Sequence, residues 1–408
     1  MKLLSALAVL AALVIPSFGD YARTVSYKGD ILLRCPDRTK STVNVLRKHA
    51  DVFHVGADQS IDLRLSGKSF EAVERYFPEC KVVIEDLEEH VRASEERMVS
   101  SKEKLRAWAK QVMVEMVSEQ GVDVDHEEAL SRLEAKLVKD TWFEDYHDYS
   151  AIVQWYKEKA AEYPNLGDLC AKKATKIYLQ SLIHAREWIT GAVLMYSVNH
   201  LLTHYGKDLE VTKILDTVEI VAVPIVNPDG YSYTWTSDRL WRKNRDGTQT
   251  SVERMLLVPQ QTRKNSPIVG AIDIHSYGQL VLRPWGYTLN PSGDDGKLSA
   301  LGEKLVEAMK KSTGQTYTSE LSYGLYQANG IASDWFYSED AAMENKGIRA
   351  MGYTIELRDD GNNGFLLPAS EIIATGKEFT AALKTFVKYT TSNPIYLSSS
   401  RQASSGHQ

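Results

Sequence analysis

Apolar positions fall into three regimes along the chain, and the period changes where one gives way to the next. Between about Val25 and Val91, short strand-like runs alternate with helical spacings. Asp30-Ile-Leu-Leu-Arg34, Ser60-Ile-Asp-Leu-Arg-Leu65 and Lys81-Val-Val-Ile-Glu85 predict strands, while Ser41–Ala50 and Ser69–Phe77 predict helices, the first opened by a serine cap. Such a unit can bury one sheet face under two helices. Residues 92 to 139 are rich in Glu, Lys, Arg and Ala. Apolar side chains recur there at helical spacing through Leu105-Arg-Ala-Trp-Ala-Lys-Gln-Val-Met-Val-Glu-Met116, which predicts a helical connector with solvated charged faces.

From Trp142 to about Asn393 the pattern changes again. Val218–Val226 and Ile268–Ile274 are near-continuous apolar runs, as strands covered on both faces should be. Helices are predicted at Ser150–Ala161, Gly191–Tyr205, Lys297–Lys311 and Pro368–Tyr389. The expectation is an α/β fold with a central mixed, mainly parallel sheet and helices on both faces, preceded by the small α+β unit. The polar end, residues 394–408, is read as a disordered tail.

Composition and charge narrow the picture. Met1-Lys-Leu-Leu, an apolar run to Ile15 and Pro16-Ser-Phe-Gly19 form the pattern of a secretory signal peptide over residues 1–19. That run is too short to span a bilayer comfortably, so a secreted, extracellular protein with no membrane partner is expected. A net charge of −6 over 408 residues gives no basic field for a phosphate backbone, and no nucleic-acid partner is expected. The cysteines are Cys35, Cys80 and Cys170, an odd count in which a Cys35–Cys80 pair is one open pairing.

Candidate chemistry begins at Ser181-Leu-Ile-His-Ala-Arg-Glu-Trp-Ile-Thr190. On a helical turn, residues three apart share a face, so His184 and Glu187 could reach one cation together. Such a pair alone is common by chance. His275 changes that, because it directly follows the run Ile268–Ile274, and ligands of open α/β sheets gather at the carboxyl ends of strands. Two imidazoles and a carboxylate with a fourth position open make the catalytic form of a zinc site. Glu356 closes a further apolar run, Gly352-Tyr-Thr-Ile-Glu356, and has two readings: an acid used in chemistry, or an ion pair with Arg358 or another internal arginine.

In order along the chain stand His184-Ala-Arg-Glu-Trp188, Asn227-Pro-Asp-Gly-Tyr231, Arg239-Leu-Trp-Arg-Lys-Asn-Arg245, Asp273-Ile-His-Ser-Tyr277, Leu325-Tyr-Gln-Ala-Asn-Gly330, Glu356-Leu-Arg-Asp359 and Gly364-Phe-Leu-Leu-Pro368. With these seven motifs the sequence resembles the funnel-type zinc metallocarboxypeptidases of the pancreatic A/B kind, in their zymogen form. The resemblance implies one zinc ion per chain, held by His184, Glu187 and His275. It implies Glu356 as the base that activates the zinc water, and Arg242 as the cation that polarises the scissile carbonyl. Tyr326 would close over the bound C-terminal residue, Arg186 and Tyr277 would line subsites further along the peptide, and Phe365 an outer one. Ser333 falls at the specificity position, where its lack of charge and bulk implies neutral C-terminal side chains. Residues 20–91 resemble an activation propeptide, an open sandwich covering the active site until cut. Residues 92–141 would be the connector with the activation region, where Arg132, Lys136 and Lys139 suit a trypsin-like protease, and residues 142–393 the catalytic domain. Implied partners are peptide or protein C-termini and that activating protease, and the family expectation is a monomer.

Two departures from the family pattern stand out. Between Arg245 and His275 the chain is shorter and lacks the GVD-x-NRN motif, whose Asn-Arg pair clamps the substrate carboxylate. Between Pro164 and Ile183 the usual GxSxEGRxI hairpin is missing. Two functional expectations follow: a secreted zymogen that hydrolyses C-terminal residues, or an inactive carboxypeptidase-like chain that binds zinc or masks a partner.

Overall fold

The computed structural model describes residues 25–36, 50–56, 60–66, 69–70, 75, 77–98, 141–164, 173–245, 266–325 and 327–397. The signal segment, the helix expected at Ser41 and most of the one at Ser69, the connector beyond residue 98 with its cut sites, Cys170 and Tyr326 lie outside the described residues. So do residues 246–265, most of the segment between Arg245 and His275, and residues 165–172 of the one between Pro164 and Ile183.

The N-terminal unit is a four-stranded antiparallel sheet of β1 (Asp30–Cys35), β2 (Asp51–Val55), β3 (Ile61–Ser66) and β4 (Lys81–Ile84), ordered β2-β3-β1-β4. The strand β2 was not anticipated, since five residues interrupted by an irregular register carry little periodic signal. Period-two alternation sends Leu33, Cys35, Ile61, Leu63 and Leu65 to one buried face. The opposite face carries charge, with Arg34 paired to Asp62 at 2.7 Å and Arg64 to Asp30 at 2.6 Å. A Cys35–Cys80 disulfide ties β1 to the entrance of β4. Residues 87–98 are helical, so this helix begins five residues before the connector expected from residue 92.

The second unit is built on β5 (Lys176–Ser181), β6 (Glu219–Val223), β7 (Ile268–Ser276), β8 (Leu280–Arg283), β9 (Thr318–Leu321) and β11 (Met351–Leu357), ordered β6-β5-β7-β11-β8-β9. The first four in that order run parallel, and β8 turns back antiparallel to β11. This is the mixed, mainly parallel sheet expected from the buried runs. Helices α1 (Tyr149–Glu162), α2 (Trp188–His204), α3 (Leu209–Thr217), α4 (Pro228–Thr236), α5 (Asp295–Thr313), α6 (Ala332–Tyr337) and α7 (Ile372–Ser392) surround it. On one face Ile177, Leu179, Ile272, Ile274, Tyr353 and Ile355 join the core under α2, α5 and α7. On the other, α6 lies so close to β11 that a Cβ at Gly352 would come 2.3 Å from the Ser333 carbonyl oxygen.

Neither α3 nor α4 was expected. Asn-Pro-Asp-Gly reads as a turn, but Asn227 accepts a hydrogen bond from the Gly230 amide and Pro228 occupies the first turn, so the same residues cap a helix. The tail begins later than the sequence suggested. Ile395 and Tyr396 form β12, antiparallel to β10 (Ile348–Arg349), because Ile395 is apolar and finds a buried place there. Among the described residues no helix is long and apolar enough to cross a membrane.

Candidate metal centre

Three segments converge at the carboxyl ends of β5, β7 and β11. His184 and Glu187 sit on the turn between β5 and α2 rather than on a helical turn, with Glu187 at the N-cap of α2. The turn is fixed from several sides. Leu182 adopts a left-handed conformation and is fully buried, with its amide on the Thr190 hydroxyl. Gly191 leaves room for the Leu182 side chain, since a Cβ there would stand 2.6 Å from it. The Ala185 amide donates to the Arg242 carbonyl at 3.1 Å, and the Asn227 side chain donates to the Ile183 carbonyl.

The alternation of β7 and β11 supplies the rest. Asp273 and His275 point to the same sheet face, and the parallel register sets Thr354 beside Asp273 and Glu356 beside His275. Ligand atoms of His184, Glu187 and His275 all lie within 4.8 Å of one another. His184 Nδ1 is 2.8 Å from Glu187 Oε1, and His275 Nδ1 is 3.0 Å from His184 Nδ1 and 3.2 Å from Glu187 Oε2. Three donor atoms so gathered, two imidazole nitrogens and a carboxylate, are the set that zinc takes in catalytic sites, so the residues fit the metal.

The electrostatics agree. Burial and the Arg242 charge push the His184 imidazole down to about 4, leaving it neutral at neutral pH as a metal ligand must be. Burial opposes ionisation of Glu187, but the two histidines outweigh it and hold the carboxyl well below its usual range. For His275, burial is outweighed by Asp273 and Glu187, which raise it well above the ordinary value. A cation at Nδ1 would take the place of the proton shared with Glu187, while Nε2 stays on Asp273 Oδ2 at 2.8 Å. Gln180 in turn donates to Asp273 Oδ1 at 3.0 Å, and both are buried. This Gln180–Asp273–His275 chain fixes the orientation of the imidazole, as outer partners of metal-bound histidines do. Sequence reasoning missed it, although a charged residue two before His275 in an apolar run was a usable signal.

The ion pair considered for Glu356 does not form. Arg358 pairs instead with Glu371 and Glu378, and Glu356 Oε2 is buried without a hydrogen-bond partner. Burial raises the Glu356 carboxyl to about 8, against the pull of His275. Among the described residues the Arg242 side chain makes no hydrogen bond or ion pair, yet its charge lowers both His184 and Glu356.

The residues expected to line outer subsites stand against the N-terminal unit. Arg186, 1% exposed, stacks over Phe365 at 4.1 Å and Phe53 at 4.6 Å and reaches Asp51 at 3.2 Å. The Tyr277 hydroxyl donates to Asp62 at 2.7 Å, and its ring packs on His54 and Phe365. Ser333, in the first turn of α6, is buried with its hydroxyl 3.3 Å from that of Thr354.

A family model described as Peptidase_M14, zinc carboxypeptidase, matches residues 168–254 and 251–382. Carboxypeptidase A1 of Homo sapiens is 32% identical over 263 residues, covering 54% of this chain and 60% of its own length. An inactive metallocarboxypeptidase, ecm14, of Sclerotinia sclerotiorum is 33% identical over 281 residues, covering 55% of this chain and 46% of its own. The chain thus spans 60% or less of these relatives. A crystal structure of thrombin activatable fibrinolysis inhibitor superposes with a TM-score of 0.66 at 21% identity, covering 90% of this chain and 99% of that one, a likeness of fold alone.

Proposed function

Because the chain belongs to the zinc carboxypeptidase family, we propose that it is a secreted zymogen that, once cut, removes C-terminal residues from peptides or proteins. The observation that carries this reading is the convergence of His184, Glu187 and His275 with Glu356 in register beside His275. Zinc held there would supply a Lewis acid for the carbonyl and for water. Glu356 is the base: it takes a proton from the attacking water and delivers it to the leaving amine, a role suited to a carboxyl raised by burial. The Arg242 guanidinium stabilises the oxyanion that forms as the carbonyl is attacked.

Ser333 and Thr354 leave an uncharged wall where the C-terminal side chain would sit, which favours neutral residues, and Tyr326 would close over it. Arg186, Tyr277 and Phe365 bind the preceding residues of the peptide. Their contacts with Asp51, Asp62 and Phe53 support a masking role for the N-terminal unit. A trypsin-like protease cutting near Arg132, Lys136 or Lys139 would release it. The signal-like segment 1–19 and the Cys35–Cys80 disulfide fit an oxidising, extracellular compartment. The molecule acts as a monomer, with no nucleic-acid or membrane partner.

A second reading, an inactive chain that keeps zinc or masks a partner, draws on the likeness to the relative described as inactive. The test uses trypsin-treated, zinc-loaded protein and a blocked dipeptide ending in Phe, beside its C-terminal amide. Cleavage of the acid alone, abolished by a chelator and restored by zinc, is the expected result. No cleavage with one zinc per chain would favour the second reading.

A further inference from the structure

Beside α6 the protein holds a cavity of about 680 Å³, and none of its lining residues is a metal ligand or Glu356. Its walls include Trp285, Tyr287, Trp335 and Tyr337, and it carries the carboxylates of Asp294 and Asp334. Trp285 stands edge-on to Tyr337 at 5.1 Å and 5.3 Å from Tyr287, a residue 45% exposed. The volume suits a small ligand or a single long side chain.

The charge of this cavity is lopsided. Asp334 is only 8% exposed, yet both its oxygens turn to one donor, the Gly286 amide, at 2.9 and 3.2 Å. A carboxylate accepts at about four sites, so most of that capacity is left unused. Asp294 accepts one hydrogen bond from the Tyr337 hydroxyl at 2.7 Å. The cation in the wall, Arg349, is committed elsewhere: it donates to the Tyr337 carbonyl at 3.0 Å and pairs with Glu339 at 2.9 Å. Burial pushes the Asp334 carboxyl up to about 6, the direction expected of an acid lacking a positive partner. Aromatic faces attract cations through their quadrupole, and a buried carboxylate gains most from a partner of opposite charge.

We propose that this cavity binds a guanidinium or ammonium group on an aliphatic stem, seated between Asp334 and the aromatic walls. The same chemistry can arrive on an Arg or Lys side chain of a peptide or as a free alkylamine. The test is a titration of tryptophan emission on the full chain with agmatine, with acetyl-Gly-Arg-Gly-amide and with the citrulline analogue of that peptide, which is a neutral isostere. Saturable changes with the two cations and not with the citrulline peptide are expected, and chelation of zinc should leave them unchanged. Asp334→Asn and Tyr287→Ala should each weaken binding roughly tenfold with unchanged melting temperatures. If Asp334→Asn fails to fold, the exposed Tyr287 carries the test alone. Tighter binding of the peptide than of agmatine assigns a peptide as the source, and the reverse assigns a free amine. Equal binding of the citrulline peptide, undiminished affinity in both variants or loss of binding on chelation would overturn the proposal.

Discussion

Glu356 closes the run Met351-Gly-Tyr-Thr-Ile355, and its Oε2 is buried with no hydrogen-bond partner. Burial, against the pull of His275, raises the carboxyl from 4.5 to about 8. Between those values the folded chain holds a proton that the unfolded chain has released, so without zinc stability must fall as pH rises through that window. Removing the acid removes the effect. The melting temperature of zinc-free Glu356→Gln should therefore pull ahead of wild type from about pH 5 to about pH 8, and parallel curves would contradict the burial argument. In the zinc-loaded enzyme the same substitution should lower kcat by about 10²–10⁴ with zinc content retained. Asp273→Asn keeps the shape of its side chain but not its charge against His275 Nε2. Zinc affinity, read by competition with a chelator, should drop about 10–100-fold. The metal ligands and Glu356 were legible because His275 and Glu356 each end an apolar run and the other two follow one. Asp51 and Asp62 were not, because their partners Arg186 and Tyr277 lie far along the chain and leave no local mark.

The elements that carry these residues were legible in proportion to their length. Strand β7 and helices α2, α5 and α7 follow long, regular patterns, whereas β2 is short and α4 hides in a turn-like Asn-Pro-Asp-Gly. The spacing of His184 and Glu187 pointed to the right ligands through the wrong element, since a tight turn held by Thr190, Asn227 and Arg242 brings them together as a helix would. Packing of α6 on β11 had no signal beyond Gly352 itself. A methyl group there would strike the Ser333 carbonyl, which is backbone and cannot rotate away. Gly352→Ala should cost about 1–3 kcal/mol in urea denaturation. Gly296→Ala, in the first turn of α5 with no atom within 4 Å of its added Cβ, should be neutral or stabilising by up to about 1 kcal/mol. Similar costs at both positions would mean that the close approach of α6 does not govern stability.

At the scale of the whole molecule, the charged face of the N-terminal sheet meets the metal-bearing unit through Asp62 and Tyr277. Asp51 and Arg186 add an ion pair, and Phe53, Phe365 and Tyr277 a shared apolar cluster. Tyr27 adds an anchor away from the metal, its hydroxyl donating to Asp238 at 2.6 Å. These contacts occupy the side chains proposed to bind the peptide, so on that proposal substrate and N-terminal unit compete for one surface. The period-two pattern of β3 places Asp62 on its polar face, but only the assembled fold reveals what that face meets. Loss of the Asp62 and Asp51 carboxylates together should weaken the mask and give the uncut chain measurable activity. The most direct measurement is the rate of C-terminal Phe release by one zinc-loaded sample before and after a tryptic cut between residues 98 and 142. At least a roughly hundredfold rise at constant zinc content is expected, in line with exclusion of substrate from a preformed site. A cut chain that keeps its zinc and stays silent, or an uncut chain that is already fully active, would contradict it.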